Sequence, residues 1–148
     1  MKWCLKSFDR LTINELYEIC KSRYEVFACE QHIYQENDFD DLDKEVYHLF
    51  LEDKGRIVAY TRIIQSGKVY KQATFGRVLV LKDYRRQGIA KELAQRAIDF
   101  LRNELKEKEI ILSAQLYVKG LYESVGFKVV SDEYLEVDIP HVKMKLSI

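Results

Sequence analysis

The stretch Phe75 to Ala94 restricts the fold more than any other part of this chain. Its β-branched and aliphatic run, Val78 to Leu81, suits a buried strand, and a polar, basic turn, Arg85-Arg86-Gln87-Gly88-Ile89-Ala90, follows. From Ile89 the apolar residues Ile89, Leu93, Ala97, Leu101 and Leu105 recur at every fourth position, with Ala90, Ala94 and Ile98 beside them. That is one face of an amphipathic helix. A strand that feeds a glycine-containing turn opening a helix aims several backbone N–H groups and the positive end of the helix dipole at one point. Such a point suits a phosphate or pyrophosphate, and it equally serves as a plain structural turn.

The totals narrow the class. At 148 residues the chain fits one domain with a continuous core. Its 24 basic and 24 acidic side chains cancel, so neither a nucleic acid nor a membrane surface is an expected partner. The start, Met-Lys-Trp-Cys-Leu-Lys, is too polar for a secretory signal, and the expectation is a cytoplasmic protein. Cys4, Cys20 and Cys29 contain no Cys-x-x-Cys pair, which argues for buried reduced thiols rather than a disulfide framework or a zinc site.

Lys2 to Phe8 reads as a strand. Thr12 and Glu15 make a capping box, and Ile13, Leu16, Tyr17, Cys20, Tyr24 and Phe27 keep helical spacing, which predicts a helix from Ile13 toward Cys29. Arg23 borders its apolar stripe and either is solvated or points into a cleft. The loop from Gln31 to Asp43 is crowded with carboxylates and aromatics, as a solvated acidic loop or a site for a cationic substrate. It does not make a calcium loop, because Asp43 and Leu49 stand where glycine and glutamate are needed, and no metal is expected. Val46 to Glu52 and Ile57 to Gln65 form a hairpin over Lys54-Gly55, and Ser66-Gly67-Lys68 makes a second turn. Glu109 to Ala114 is a strand, Leu121 to Phe127 a short helix capped by Gly126, and Val129-Val130 a strand. The alternation of Val142, Met144 and Leu146 closes the chain with another. This order predicts an α+β fold with a mixed α/β sheet.

Arg85-x-x-Gly88-x-Ala90 after a hydrophobic strand resembles the Arg/Gln-x-x-Gly-x-Gly/Ala signature of the GNAT N-acetyltransferases. Tyr122-x-x-x-Gly126-Phe127 resembles that family's second recurring pattern, in the expected place after the strand that follows the long helix. Arg23 to Gln31, the acidic loop, His48, Ala59 to Ile63, Gly76-Arg77-Val78 and Ile139-Pro140-His141 are similar to the ElaA-type subgroup, so the likeness covers nearly the whole chain. It implies an acyl-coenzyme A N-acyltransferase fold, a central, mostly antiparallel sheet flanked by helices, whose central strand splays from a parallel neighbour to admit coenzyme A.

The resemblance further implies direct transfer of acetyl from acetyl-coenzyme A to an amine of a small molecule or peptide. Backbone groups of Val78, Leu79 and Val80 would hold the pantetheine arm, and Arg85, Arg86, Gln87, Gly88, Ile89 and Ala90 the pyrophosphate. Gln115 stands where the family often has an asparagine that bonds the same arm, and Tyr122 would protonate the departing thiolate. A lysine-like amine with a pKa of about 10.4 is almost wholly protonated at neutral pH, so a base is needed. Glu30, His48 and His141 are the candidates, with Glu30 preferred because it borders the acidic loop. Arg23, Glu30, Asp38, Arg62 and Arg77 would shape the acceptor site, Arg62 and Arg77 by binding a substrate carboxylate or by pairing with the acidic loop. Two other readings stay open: a non-catalytic coenzyme A-binding sensor, and an acyltransferase like the acyl-homoserine lactone synthases, which the order Arg23, Phe27, Asp38, Asp41, Arg62 resembles. A homodimer is also open.

Overall fold

The computed structural model describes residues 1–148. Strand β1 (Lys2–Ser7) leads into helix α1 (Ile13–Arg23). The capping box forms as its spacing predicts, with Glu15 N–H donating to Thr12 Oγ1 at 3.0 Å and Thr12 N–H to Glu15 Oε1 at 2.8 Å. Past Arg23 the helix widens into a π-helical segment, Tyr24–Glu30, closed by Gln31 N–H donating to Val26 O at 2.9 Å. Such segments are rare and gather at functional sites.

Strands β2 (Tyr47–Asp53), β3 (Arg56–Ile64) and β4 (Thr74–Val80) join β1 in an antiparallel sheet of order β1-β2-β3-β4. The β2–β3 turn is Lys54-Gly55, at φ of +52° and +81°, a mirror-image turn whose twist matches that of the strands it joins. Helix α2 (Ile89–Asn103) buries the stripe read from the sequence, Ile89, Leu93, Ala94, Ala97, Ile98 and Leu101. All of these but Ile89 share a core with Ile63, Phe75, Leu112 and Met144, where each fully buried leucine contributes about 2 kcal/mol. A second core joins Ile19 and Val26 to Phe50, Val58 and Tyr60.

Strand β5 (Glu109–Gln115), helix α3 (Lys119–Ser124) and strands β6 (Lys128–Val129), β7 (Tyr134–Glu136) and β8 (Ile139–Ser147) complete the chain. They form a second antiparallel sheet around β8, with β5 on one of its edges and β6 and β7 on the other. The fold is thus the expected α+β arrangement of antiparallel strands flanked by helices. The cysteines depart from expectation: Cys29, on the π segment, is exposed, and Cys4 and Cys20 are only half-buried. No helix is long and apolar enough to cross a membrane.

Candidate active site

The two sheets touch at one point. Ala73 and Ile110 form a lone parallel bridge, in which Ile111 N–H donates to Ala73 O at 2.9 Å, and beyond it β4 and β5 separate. Strand β4 also carries a bulge: Tyr60 pairs with Leu79 and Arg62 with Gly76, so Thr61 faces both Arg77 and Val78. Arg77 adopts a φ of +53° there. A bulge bends its strand and re-aims backbone groups, and the edge of β4 that faces β5 is left without a strand partner. An unpaired edge is a template for an extended ligand. Between the diverging strands lies a cavity of about 520 Å³, walled on its other sides by Val26 and Phe27 of the π segment and by Val137 at the β7–β8 turn.

At the open end β4 passes through a short 3-10 turn, Lys82–Tyr84, into α2. Gly88 is the N-cap at a φ of +78°, and no side chain caps the helix. Its first internal bond is Glu92 N–H to Gly88 O at 3.1 Å, so the earlier N–H groups and the positive dipole end are free to meet an anion. A Cβ at Gly88 would meet no atom within 4 Å. The left-handed backbone favours glycine there, and the space over the helix start is open.

Arg85 does not lie along that helix start. Its Nε donates to Val80 O at 2.8 Å, and its two terminal nitrogens grip Glu30 at 2.7 and 2.9 Å across the cavity mouth. The hydrogen bond from Arg85 holds the Glu30 carboxyl below the usual range, which disfavours proton uptake while the pair is intact. In this arrangement Glu30 serves as a latch rather than a base. A second link crosses beside it: Gln115 Nε2 donates to Gln31 Oε1 at 3.1 Å, and Gln31 Nε2 donates to the Tyr117 hydroxyl at 3.3 Å. Arg86 and Gln87 are exposed and do not line the cavity, whereas Ala90 reaches its wall.

Tyr122 lines the cavity from α3 at 5% exposure, and burial pushes its phenol well above the ordinary value. The Tyr-x-x-x-Gly-Phe spacing has a local cause. Gly126 takes a φ of +104° and ends the helix, Phe127 N–H returns to Tyr122 O at 3.0 Å, and the Phe127 ring packs edge-on to Tyr122 at 5.9 Å. Phe75 of β4 packs on the same tyrosine at 6.2 Å.

The arginines expected to bind substrate are spent on the acidic loop. Arg23, 1% exposed, donates to Asp38 and Asp43 at 2.8 Å each, and Phe39 covers its guanidinium at 5.1 Å. Arg62 grips Asp40 at 2.6 and 3.0 Å and also reaches Asp43 at 3.0 Å. Arg77 Nε lies 2.7 Å from Asp38 Oδ1. Of the two readings of Arg62 and Arg77, pairing with the loop is the one observed. The bond from Arg62 depresses the Asp40 carboxyl below its ordinary value.

The expectation for His48 is corrected. It is 1% exposed and absent from the cavity wall, with Nε2 donating to Asp43 O at 2.8 Å and Nδ1 accepting from the Tyr60 hydroxyl at 2.7 Å. Burial lowers its pKa, so it stays neutral and fully bonded. His141, by contrast, lines the cavity next to Glu136 and Val137. Sequence reasoning missed Glu136 because β7 itself was missed. Its turn, Val137-Asp138, has both residues at positive φ without a glycine, and Val137 at +45° is an outlier for a β-branched residue.

Residues 15–148 match the family model described as acetyltransferase (GNAT) domain. A UPF0039 protein of Schizosaccharomyces pombe is 38% identical over all of this chain and 98% of its own length. Protein ElaA of Escherichia coli is 30% identical over 97% of this chain and 95% of its length, and its crystal structure superposes with a TM-score of 0.87. The crystal structure of an acyl-CoA N-acyltransferase from Pseudomonas aeruginosa, 33% identical, covers 98% of this chain and 99% of its own, with a TM-score of 0.88. A parallel pair of strands that parts after one bridge, an uncapped glycine-led helix at its open end and near-complete alignment with these relatives lead to one conclusion: the chain belongs to the GNAT acetyltransferase family.

Proposed function

We propose that the protein transfers an acyl group, acetyl in the first instance, from acyl-coenzyme A to an amine held in the same cavity, in a ternary complex. The observation that carries this reading is the unpaired edge of β4, which runs from the bulge at Arg77 to the uncapped start of α2. That edge suits the pantetheine amides, with Val78, Leu79 and Val80 pairing as one more strand would. The open space over Gly88 suits the diphosphate, which the N–H groups of Ile89 and Ala90 and the helix dipole would hold. Arg85 would join them on leaving Glu30, and Gln115 would bond the pantetheine arm on leaving Gln31.

Acetyl-coenzyme A supplies a thioester carbonyl open to attack by an amine. Backbone N–H groups beside the bulge would polarise that carbonyl as negative charge grows on its oxygen. Tyr122 keeps its proton at neutral pH and gives it to the thiolate as the C–S bond breaks.

A thiol-release assay over a panel of primary amines, with calorimetric titration of coenzyme A alongside, tests the reading. The wild type is expected to release thiol with at least one amine. Tyr122→Phe is expected to lower kcat on the order of 100-fold while leaving coenzyme A affinity within two-fold. Tight binding without transfer to any amine would favour a binding module, and release of methylthioadenosine from S-adenosylmethionine would favour lactone-synthase chemistry. Absence of coenzyme A binding would overturn both the acyl-transfer and the binding-module readings.

A further inference from the structure

We propose that His141, with Glu136 beside it, takes the proton from the acceptor's ammonium group, and that the acceptor is a cationic alkylamine. This rests on the acyl-transfer reading above. Of the three histidines, His141 alone combines a place on the cavity wall with an uncommitted ring nitrogen. Its Nδ1 lies 2.7 Å from Ile139 O, and a carbonyl only accepts, so Nδ1 carries a hydrogen and, in the neutral ring, Nε2 the lone pair. The ring is 4% exposed and stacked on Tyr134, 6.0 Å between centroids at 25°, which fixes where that lone pair points.

Glu136 Oε2 sits 3.4 Å from Nε2. A lone pair and a carboxylate side by side form a seat for a group that is both cationic and an N–H donor. An ammonium ion is such a group. Ser113 Oγ donates to Glu136 Oε1 at 3.2 Å and holds the carboxylate in place. The strand register sets the pair, since Tyr134 faces His141 and Glu136 faces Ile139 across the Val137-Asp138 turn. Gln35 Nε2 ties that turn to the opposite loop through Asp138 Oδ2 at 3.3 Å.

Charge completes the argument. Each arginine on the cavity wall already has a carboxylate: Arg23 and Arg77 have Asp38, and Arg85 has Glu30. Glu136 has no arginine or lysine partner, so the acceptor half favours a cation and offers no spare guanidinium to a substrate carboxylate. In the step itself, one proton of R–NH3⁺ moves to His141 Nε2 and the freed lone pair forms the C–N bond. The resulting imidazolium N–H then faces the Glu136 carboxylate. When the C–S bond breaks, sulfur takes the Tyr122 proton, and the second proton lost by nitrogen restores the phenol. The first leaves His141 to solvent, which accounts for the one proton released per turnover.

The test compares His141→Gln, His141→Ala and Glu136→Gln with the wild type, using acetyl-coenzyme A, a panel of alkylamines and a panel of amino acids. Both His141 variants are expected to keep coenzyme A affinity within two-fold and to lose turnover on the best alkylamine on the order of 100-fold. Added imidazole should restore His141→Ala at least ten-fold, which a purely structural role would not allow. Glu136→Gln, on a half-exposed residue, should raise the KM for the amine about ten-fold by removing a charge-assisted contact, with a smaller change in kcat. An active wild type matched within three-fold by His141→Gln overturns this proposal alone, as does loss in His141→Ala without imidazole rescue. Should the His141 variants not fold, an unchanged amine KM in Glu136→Gln overturns it. Preference for amino acids over alkylamines overturns the acceptor class. A wild type that binds coenzyme A yet acetylates nothing overturns the acyl-transfer reading and this one with it.

Discussion

Arg23 and Arg85 line the same cavity and hold their carboxylates at 2.7 to 2.9 Å, yet they sit in opposite surroundings. The Arg23 side chain is 2% exposed and caught between Asp38 and Asp43, whereas the Arg85 and Glu30 side chains are 39% and 38% exposed. Contact distance does not separate the two pairs, but burial does. Taking a guanidinium out of water is tolerable only with its partners in place, so removing one side of a buried pair strands the other. An exposed pair exchanges water for protein at almost no net gain and can be given up to a ligand. On the proposed function, the first arrangement would build the acceptor wall. The second would hold the cofactor mouth closed in a way that a diphosphate can undo.

This contrast breaks first at Arg23. Arg23→Met should lower the unfolding free energy by about 1–3 kcal/mol in urea denaturation, because Asp38 and Asp43 each lose one of two guanidinium partners and keep Arg77 and Arg62. A loss below about 1 kcal/mol would place Arg23 with the surface pairs. The pH dependence comes next. The Asp40 carboxyl is depressed by its bond to Arg62, so its contribution is present above the unfolded-state pKa of about 3.9 and is lost as pH falls through the lower folded-state value. Acid titration of stability should therefore show a decline below that range which is shallower in Asp40→Asn. The smallest stability effect is expected at the mouth. Glu30→Gln should change the unfolding free energy by less than about 1 kcal/mol while tightening coenzyme A binding a few-fold, since Arg85 no longer has to be released. Unchanged or weaker coenzyme A binding would mean that the pair does not compete with the cofactor.

The same contrast explains what was legible in the sequence. Helix α2 and its glycine-led start were readable because a four-residue apolar repeat follows a basic turn within one continuous stretch. The Lys54-Gly55 hairpin was readable because glycine marks the left-handed turn. The β7–β8 hairpin was not, because Val137 and Asp138 make a positive-φ turn without the usual residues. The π segment keeps the composition of an ordinary helix and hides its change of bonding. Pairings between distant residues were hardest. Nothing local says that Arg62 closes on Asp40, or that Glu30 is claimed by Arg85. Whether a charged residue serves a substrate or its own fold depends on which partners the tertiary structure brings to it.

Calorimetric titration of coenzyme A into the wild type and Gly88→Asp addresses the central claim, that the cleft between β4 and β5 holds coenzyme A with its diphosphate at the start of α2. The account predicts a saturable heat for the wild type and none for Gly88→Asp, whose carboxylate would stand in the open space over the helix start and repel the diphosphate. Equal binding by a folded Gly88→Asp variant would contradict it.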